Sequence, residues 1–185
     1  VEADPKYPGM FWSFVEWAEG QSWRAWVQPY RVSNKLWFTE FNTQFGQRVG
    51  GVFKDTIIED NVDLVHRGFL RLQPTDPFIA WEGRTYTHPN NPTTASIELV
   101  YRVDASGYRI EQRLLNRTTN QFDLVDSRIA SPTKTTLTTN ITNPANYVRQ
   151  SDGQIVYRVS IVPNNTPTSS ANPQLFVDRL SFVVN

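Results

Sequence analysis

Cysteine is absent from the 185 residues, which removes disulfides, thiolate metal sites and thiol catalysis together. Histidine is nearly absent. His66 and His88 cannot supply a cluster of three imidazole ligands, neither lies in a metalloprotease helix motif, and each reads as an ordinary surface or edge residue. Charge of one sign is not in excess, since Lys plus Arg (18) balance Asp plus Glu (18). A chain without that field is not drawn as a whole to nucleic acid or anionic lipid, so nucleic acid is excluded as a main partner and membrane association is expected to be indirect only. No apolar run approaches the roughly 20 residues of a membrane-spanning helix. There is no Gly-x-Ser-x-Gly elbow and no phosphate-cradling glycine loop, which argues against nucleophilic and nucleotide chemistries. No enzyme is expected; a carboxylate pair such as Glu82 and Glu98 would have to face across a cleft to hydrolyse a glycoside. With Val1 first and no basic-then-apolar leader, the expectation is a processed, exported protein that is secreted, on the cell surface or periplasmic.

What is present is alternation. From Ala95 to Ala130 three apolar, period-two runs are separated by Asp104-Ala105-Ser106-Gly107 and by Asn116-Arg117-Thr118-Thr119-Asn120, the signature of a β-meander. One parity is apolar, and the other carries Glu98, Arg102, Arg109, Glu111 and Arg113, as in antiparallel strands that cover a core on one side and meet water on the other. Further strands are predicted over 36–45, 78–87, 134–142, 154–162 and 174–184, with a turn or bulge at Gly46, Gly50 and Gly51. The fold class is all-β, an antiparallel β-sandwich of jelly-roll type with eight or nine strands. Its predicted core is Leu99, Tyr101, Ile110, Leu114, Phe122, Leu124, Ile155, Tyr157, Val159, Phe176, Leu180 and Phe182.

The first 38 residues differ in composition, and the chain divides into an aromatic N-terminal arm, 1–38, and a sandwich domain, 39–185. Trp12, Trp17, Trp23, Trp26 and Trp37 fall in the arm, with Phe11 and Phe14 among them. Phe11, Phe14, Val15 and Ala18 have helical spacing between Pro8-Gly9 and Gly20, which predicts a short helix over 10–19; Trp23 to Tyr30 fits a second helical piece or an edge strand equally. Tryptophan is enriched at interface hot spots, so Phe11, Trp12, Trp17, Trp23 and Trp26 form a candidate partner-binding surface. Downstream, Asp55, Glu59, Asp60 and Asp63 gather hard oxygen ligands that would suit calcium, although without the spacing of an EF-hand loop. Apart from that calcium no cofactor is expected.

The run from Ile110 to Arg128, in which Asn116-Arg-Thr-Thr is followed by an aromatic and then Val125-Asp-Ser-Arg, resembles a β-sandwich module of large secreted bacterial proteins. Gln47-Arg-Val-Gly-Gly with Asp60, and Phe176-Val-Asp-Arg-Leu near the end, extend the resemblance over about residues 40–185. It implies an extracellular, jelly-roll-like domain that accompanies adhesive or carbohydrate-active domains, and it implies no catalytic residues. Physically, Asn116 suits a left-handed turn position, and Asp126 and Arg128 are placed to pair with cross-strand charges such as Arg113 or Glu111.

Two functions compete. The leading one is a non-catalytic structural or interaction subunit that joins other protein subunits, same or different, through its aromatic arm or an exposed sheet edge. The alternative is a carbohydrate-binding module for polysaccharide, with Trp81, Tyr86 and Tyr101 as the stacking rings.

Overall fold

The computed structural model describes residues 2–3, 11–18, 21–27, 35–38, 40–57, 59–69, 76–87, 92–164 and 172–184; at 2–3, 11–18, 21–27, 40, 53 and 54 the description is of the backbone. In chain order the strands are β1 (Glu2–Ala3), β2 (Phe11–Ala18), β3 (Gln21–Val27), β4 (Lys35–Trp37), β5 (Glu40–Phe45), β6 (Gln47–Gly50), β7 (Leu64–Arg67), β8 (Ile79–Tyr86), β9 (Ala95–Val103), β10 (Tyr108–Asn116), β11 (Gln121–Ile129), β12 (Thr135–Ile141), β13 (Gln154–Pro163) and β14 (Gln174–Val184). Two single 3-10 turns, Phe53–Thr56 and Pro144–Tyr147, are the only helical pieces among the described residues, and no helix is long and apolar enough to cross a membrane.

Two antiparallel sheets face each other, as the alternation requires. One runs β11-β10-β13-β8-β5; the other runs β12-β9-β14-β7-β6, with β4 also pairing β14. Between them lie the inward-facing residues of every central strand, among them Ile97, Leu99 and Tyr101 of β9, Ile110 and Leu114 of β10, Tyr157 and Val159 of β13, and Leu180 and Phe182 of β14. Trp81 is wholly buried at the centre, edge-on to Phe41 (4.9 Å) and Tyr157 (6.0 Å). Gly83 leaves room there: a Cβ would meet the Phe38 ring at 3.0 Å and Phe41 at 3.1 Å.

The helix expected over 10–19 is not formed. Phe11–Ala18 is strand β2, paired with β3 from Phe11↔Val27 to Ala18↔Gln21, so two residues, Glu19 and Gly20, connect them. Aromatic and β-branched residues favour a pleated strand, and a two-residue link with glycine suits a hairpin, which outweighs the helical spacing of four apolar positions. Together with β1 this hairpin is a separate three-stranded sheet that, among the described residues, pairs with neither sandwich sheet. By contrast Trp37, grouped by composition with the arm, belongs to the sandwich: β4 pairs Leu36 with Phe182, and Trp37 and Phe38 are buried.

Single inserted residues decide which way several side chains face. β5 carries an extra residue at Gln44 against β8, β6 one at Val49, β11 one at Val125 and β14 one at Asp178. Three members of the predicted core therefore lie elsewhere. Leu124 is half exposed, while Phe122 and Phe176 are partly buried on outer faces, where each ring carries a guanidinium: Arg158 at 3.8 Å over Phe122 and Arg102 at 3.5 Å over Phe176. β11 is an edge strand whose inner side is polar. Tyr157 Oη donates to Gln112 Oε1 (2.9 Å), Gln112 Nε2 to Thr139 Oγ1 (2.8 Å), and Thr139 Oγ1 to Asp126 Oδ2 (2.8 Å). This chain satisfies the buried Gln112 amide, which would otherwise be costly.

The turn before β11 departs in detail from expectation. Asn120, not Asn116, takes the left-handed conformation (φ 54°); Asn116 acts through its side chain, whose Oδ1 accepts from the Thr118 N–H at 2.9 Å. Asp126 and Arg128 pair with each other along the strand (2.9 Å), as do Glu111 and Arg113 (2.6 Å), rather than across strands.

His66 is also not a surface residue. It is buried on the inner side of β7, stacked on Trp81 (5.7 Å), with Thr43 Oγ1 3.2 Å from its Nε2 and, among the described residues, no hydrogen-bond partner at Nδ1. His88 lies outside the described residues.

Two measurements follow from this packing. Leu114→Ala should cost about 2–5 kcal/mol in denaturant unfolding, and Leu124→Ala about 0.5 kcal/mol or less, because only the first empties core volume. Burial, and secondarily the positive charge of Arg48, lowers the His66 imidazole from 6.5 to about 4. Above the higher value folded and unfolded chains are both neutral; as pH falls from 6.5 towards 4 only the unfolded chain takes up the proton. Stability should then drop by up to about 1.4 kcal/mol per pH unit in that window, and His66→Phe should flatten the slope whatever it does to total stability.

Candidate functional site

The two outer faces of the sandwich differ. On the β12-β9-β14 sheet the face is covered by its own acidic segment. The inserted residue Asp178 is almost fully buried; its Oδ1 accepts the backbone N–H groups of Asp60 (3.2 Å) and Asn61 (3.1 Å), and its carboxylate is ion-paired with Lys134. Lys134 also donates to Asn61 Oδ1 (2.9 Å), and Arg179 pairs with Glu59 (3.4 Å). Asp178 raises the affinity of Lys134 for its proton, chiefly by accepting its hydrogen bond.

Each of the four carboxylates expected to hold calcium has a partner within the protein. Asp55 accepts the Val52 N–H (2.7 Å) within its own 3-10 turn, Glu59 faces Lys134 and Arg179, Asp60 accepts the Val62 N–H (3.1 Å), and Asp63 faces Arg102 at 3.5 Å. Burial raises the Asp63 carboxyl above its ordinary value, against the lowering effect of Arg102. Among the described residues no three His, Asp or Glu side chains come together as a metal site.

The rings expected to stack on sugar are likewise placed otherwise. Trp81 and Tyr101 are core residues, at 0% and 3% exposure, and present no face to a ligand. Period-two alternation puts them on the apolar parity, which is the buried one. Of the three, Tyr86 alone reaches solvent, at the far end of β8, where its Oη accepts from Gln154 Nε2 (3.0 Å). Phe11, Trp12, Trp17, Trp23 and Trp26 lie on β2 and β3, but their side chains are outside the described set.

The face of the β11-β10-β13-β8-β5 sheet, by contrast, holds a groove of about 220 Å³. Ala80, Glu111, Arg113, Arg158 and Ser160 from three adjacent strands make its floor; Gln44, Phe45, Pro77 and Val162 contribute its sides. Its polar groups are held in place. Arg158 Nε donates to Glu82 Oε1 at 3.0 Å from the strand alongside, with the Phe122 ring beneath the guanidinium, and Arg113 donates to Glu111. Phe45 reaches the groove because of the extra residue at Gln44. Phe41 packs against the core and Thr43 reaches His66 there; strict alternation would send position 45 inward as well, but the bulge pairs Phe45 with Ala80 on the solvent face, 40% exposed. Glu82 belongs to this face and Glu98 to the opposite one, where it pairs with Lys35, so these two carboxylates do not face each other across a cleft. The alternating signs of Glu111, Arg113, Glu82 and Arg158 are legible in sequence; the bulge that brings Phe45 to them is not.

No family model matches the chain, and no curated protein matches it in sequence. Among solved structures it is similar to TmCBM61 in complex with beta-1,4-galactotriose (10% identity, covering 80% of this chain and 91% of that one, TM-score 0.48). It is similar also to a CBM4 structure (10% identity, 69% and 87% covered, TM-score 0.47) and to a point mutant of CBM29-2, a family 29 carbohydrate-binding module (8% identity, 77% and 91% covered, TM-score 0.40). Similarity at this level bears on no ligand or activity of this chain.

The covered face yields its own expectations. Lys134→Met leaves the buried Asp178 carboxylate without a counter-charge and should destabilise by about 3 kcal/mol in denaturant unfolding. Because the acidic side chains are committed to protein partners, the melting temperature should be the same in chelator and in millimolar calcium; a rise with calcium would mean that they rearrange around the ion.

Proposed function

We propose that this protein binds saccharide, without catalysis, on the solvent face of the five-stranded sheet. The observation that supports this reading is the groove itself: an exposed ring at one side and a floor of paired, planar, charged side chains on rigid strands. A pyranose presents a ring of hydroxyls, each both donor and acceptor, and an apolar face. Carboxylates and guanidiniums held in one orientation meet hydroxyls with charge-assisted hydrogen bonds, and an aromatic ring meets the apolar face. Strands position such groups with little ordering cost on binding, and open grooves suit a polymer that passes through rather than a small molecule that is engulfed.

Assembly through sheet edges is disfavoured at three of the four edges. The edge strands β5, β6 and β11 each contain a bulge, which twists an edge away from a partner strand and breaks its ladder, whereas β12 pairs β9 without one. Assembly through the N-terminal sheet is the second reading, favoured by its separation from both sandwich sheets. Its cut belongs before Lys35, since Trp37 and Phe38 are core.

Affinity electrophoresis and calorimetry against a panel of soluble polysaccharides test the first reading. Phe45→Ala should leave the melting temperature near that of the parent and weaken binding about tenfold, equivalent to about 1.4 kcal/mol. Loss of binding on removal of residues 1–34, with Phe45→Ala silent, would transfer the function to the N-terminal sheet.

A further inference from the structure

Arg113 on β10 and Arg158 on β13 are direct cross-strand partners, and both line the groove. Like charges directly opposite each other on an antiparallel pair are destabilising, and strands ordinarily place a carboxylate at one of the two positions. Here the compensating carboxylates stand to the sides. Glu82 pairs with Arg158 from the far strand β8, and Glu111 pairs with Arg113 from two residues along its own strand, so neither occupies the position between the two guanidiniums in the ladder.

Those contacts leave donors unused. Arg113 gives one N–H group, at Nη2, to Glu111; Arg158 gives Nε and Nη2 to a single oxygen of Glu82, with its flat face on Phe122. Among the described residues no other side chain engages Nε and Nη1 of Arg113 or Nη1 of Arg158, and both residues remain about 30% exposed. A guanidinium stays charged at any physiological pH and presents paired donors that match the two oxygens of a carboxylate. Two of them in adjacent strands, with rigid flanking partners, make a clamp for one anionic group whose arrival also relieves their mutual repulsion.

We infer that the groove selects acidic saccharides: a uronic acid residue of the polymer places its carboxylate between Arg113 and Arg158, while neighbouring sugar units meet Phe45 and the groove sides. This rests on the saccharide-binding reading above and names the substrate class of the same site.

The test compares polygalacturonate with its fully methyl-esterified form, which keeps the sugar and removes the charge, alongside alginate, neutral galactan, xylan and mannan, and dextran sulfate as a control for bulk charge. The expected result is binding to polygalacturonate or alginate at least about tenfold stronger than to the methyl ester and the neutral polymers, and stronger than to dextran sulfate. The preference should fall about tenfold in Arg113→Gln, and Arg113→Lys should not restore it, because an ammonium keeps the charge but not the fork. The comparison of ester with free acid uses the unaltered protein, so it stands even if a variant folds poorly. Equal affinity for the acid, its ester and neutral polymers would overturn the acidic preference and leave the saccharide groove intact. Binding to dextran sulfate as tight as to the uronates would also overturn it, by reducing the clamp to bulk charge. Failure to bind any polymer would overturn both readings.

Discussion

Everything on the surface of this protein depends on a constraint from its interior: a strand must send alternate side chains to opposite faces, so the phase that buries the core also decides what meets solvent. β10 illustrates the unbroken case. Ile110, Gln112 and Leu114 go inward, and Arg109, Glu111 and Arg113 go out on the same count. An inserted residue changes the count. In β14 the insertion of Asp178 separates Leu175 and Val177 from Leu180 and Phe182, keeping both pairs in the core while leaving a carboxylate at the point where the acidic segment folds over the sheet.

The two outer faces solve the charge problem in different ways. One is closed by its own chain, with Asp178 and Lys134 as the latch and Glu59, Arg179, Glu98 and Lys35 continuing the ion pairs over the surface. Such a face has little left to offer a ligand, since its strongest groups are already coordinated by backbone N–H groups and counter-ions. The other face uses the same residue types in pairs two positions or one strand apart, and these pairs line a groove instead of lying beneath a covering segment. Its aromatic support comes from Phe122 on the edge strand, which holds a guanidinium rather than filling core.

Much of the sandwich was legible in the sequence. Period-two runs located β8 to β10 and β12 to β14 within a residue or two, and Leu99, Ile110, Leu114, Tyr157 and Phe182 are core as their parity requires. The departures from alternation have a common cause. An apolar residue at an alternating position reads as core, but on edge strand β11 the inner side meets Thr139 and Tyr147 through Asp126 and Asp123, so Leu124 and Phe122 face out. Trp81 and Tyr101 were candidates for sugar stacking because aromatic rings stack on sugars, yet they occupy the buried phase. The helical spacing of Phe11 to Ala18 misled for a related reason: four apolar positions fit period 3.6 by chance when most of the segment is apolar or aromatic. The acidic segment was visible as a cluster, while its partners, Lys134, Arg102 and Arg179, are distant in sequence and could be assigned only once the sheets were in place.

The bulge at Gln44 makes backbone register, as well as residue identity, a variable that governs the groove. If the same residues ran in strict register, Gln44 would pair with Ala80 and Phe45 would turn into the interior, on the side where Phe41 and Trp81 already pack ring to ring. Loss of Gln44 itself would leave Phe45 next to Thr43 and opposite Ala80, still facing solvent. The groove therefore tolerates a change of one residue in the length of β5 only where the ladder absorbs it before Phe45.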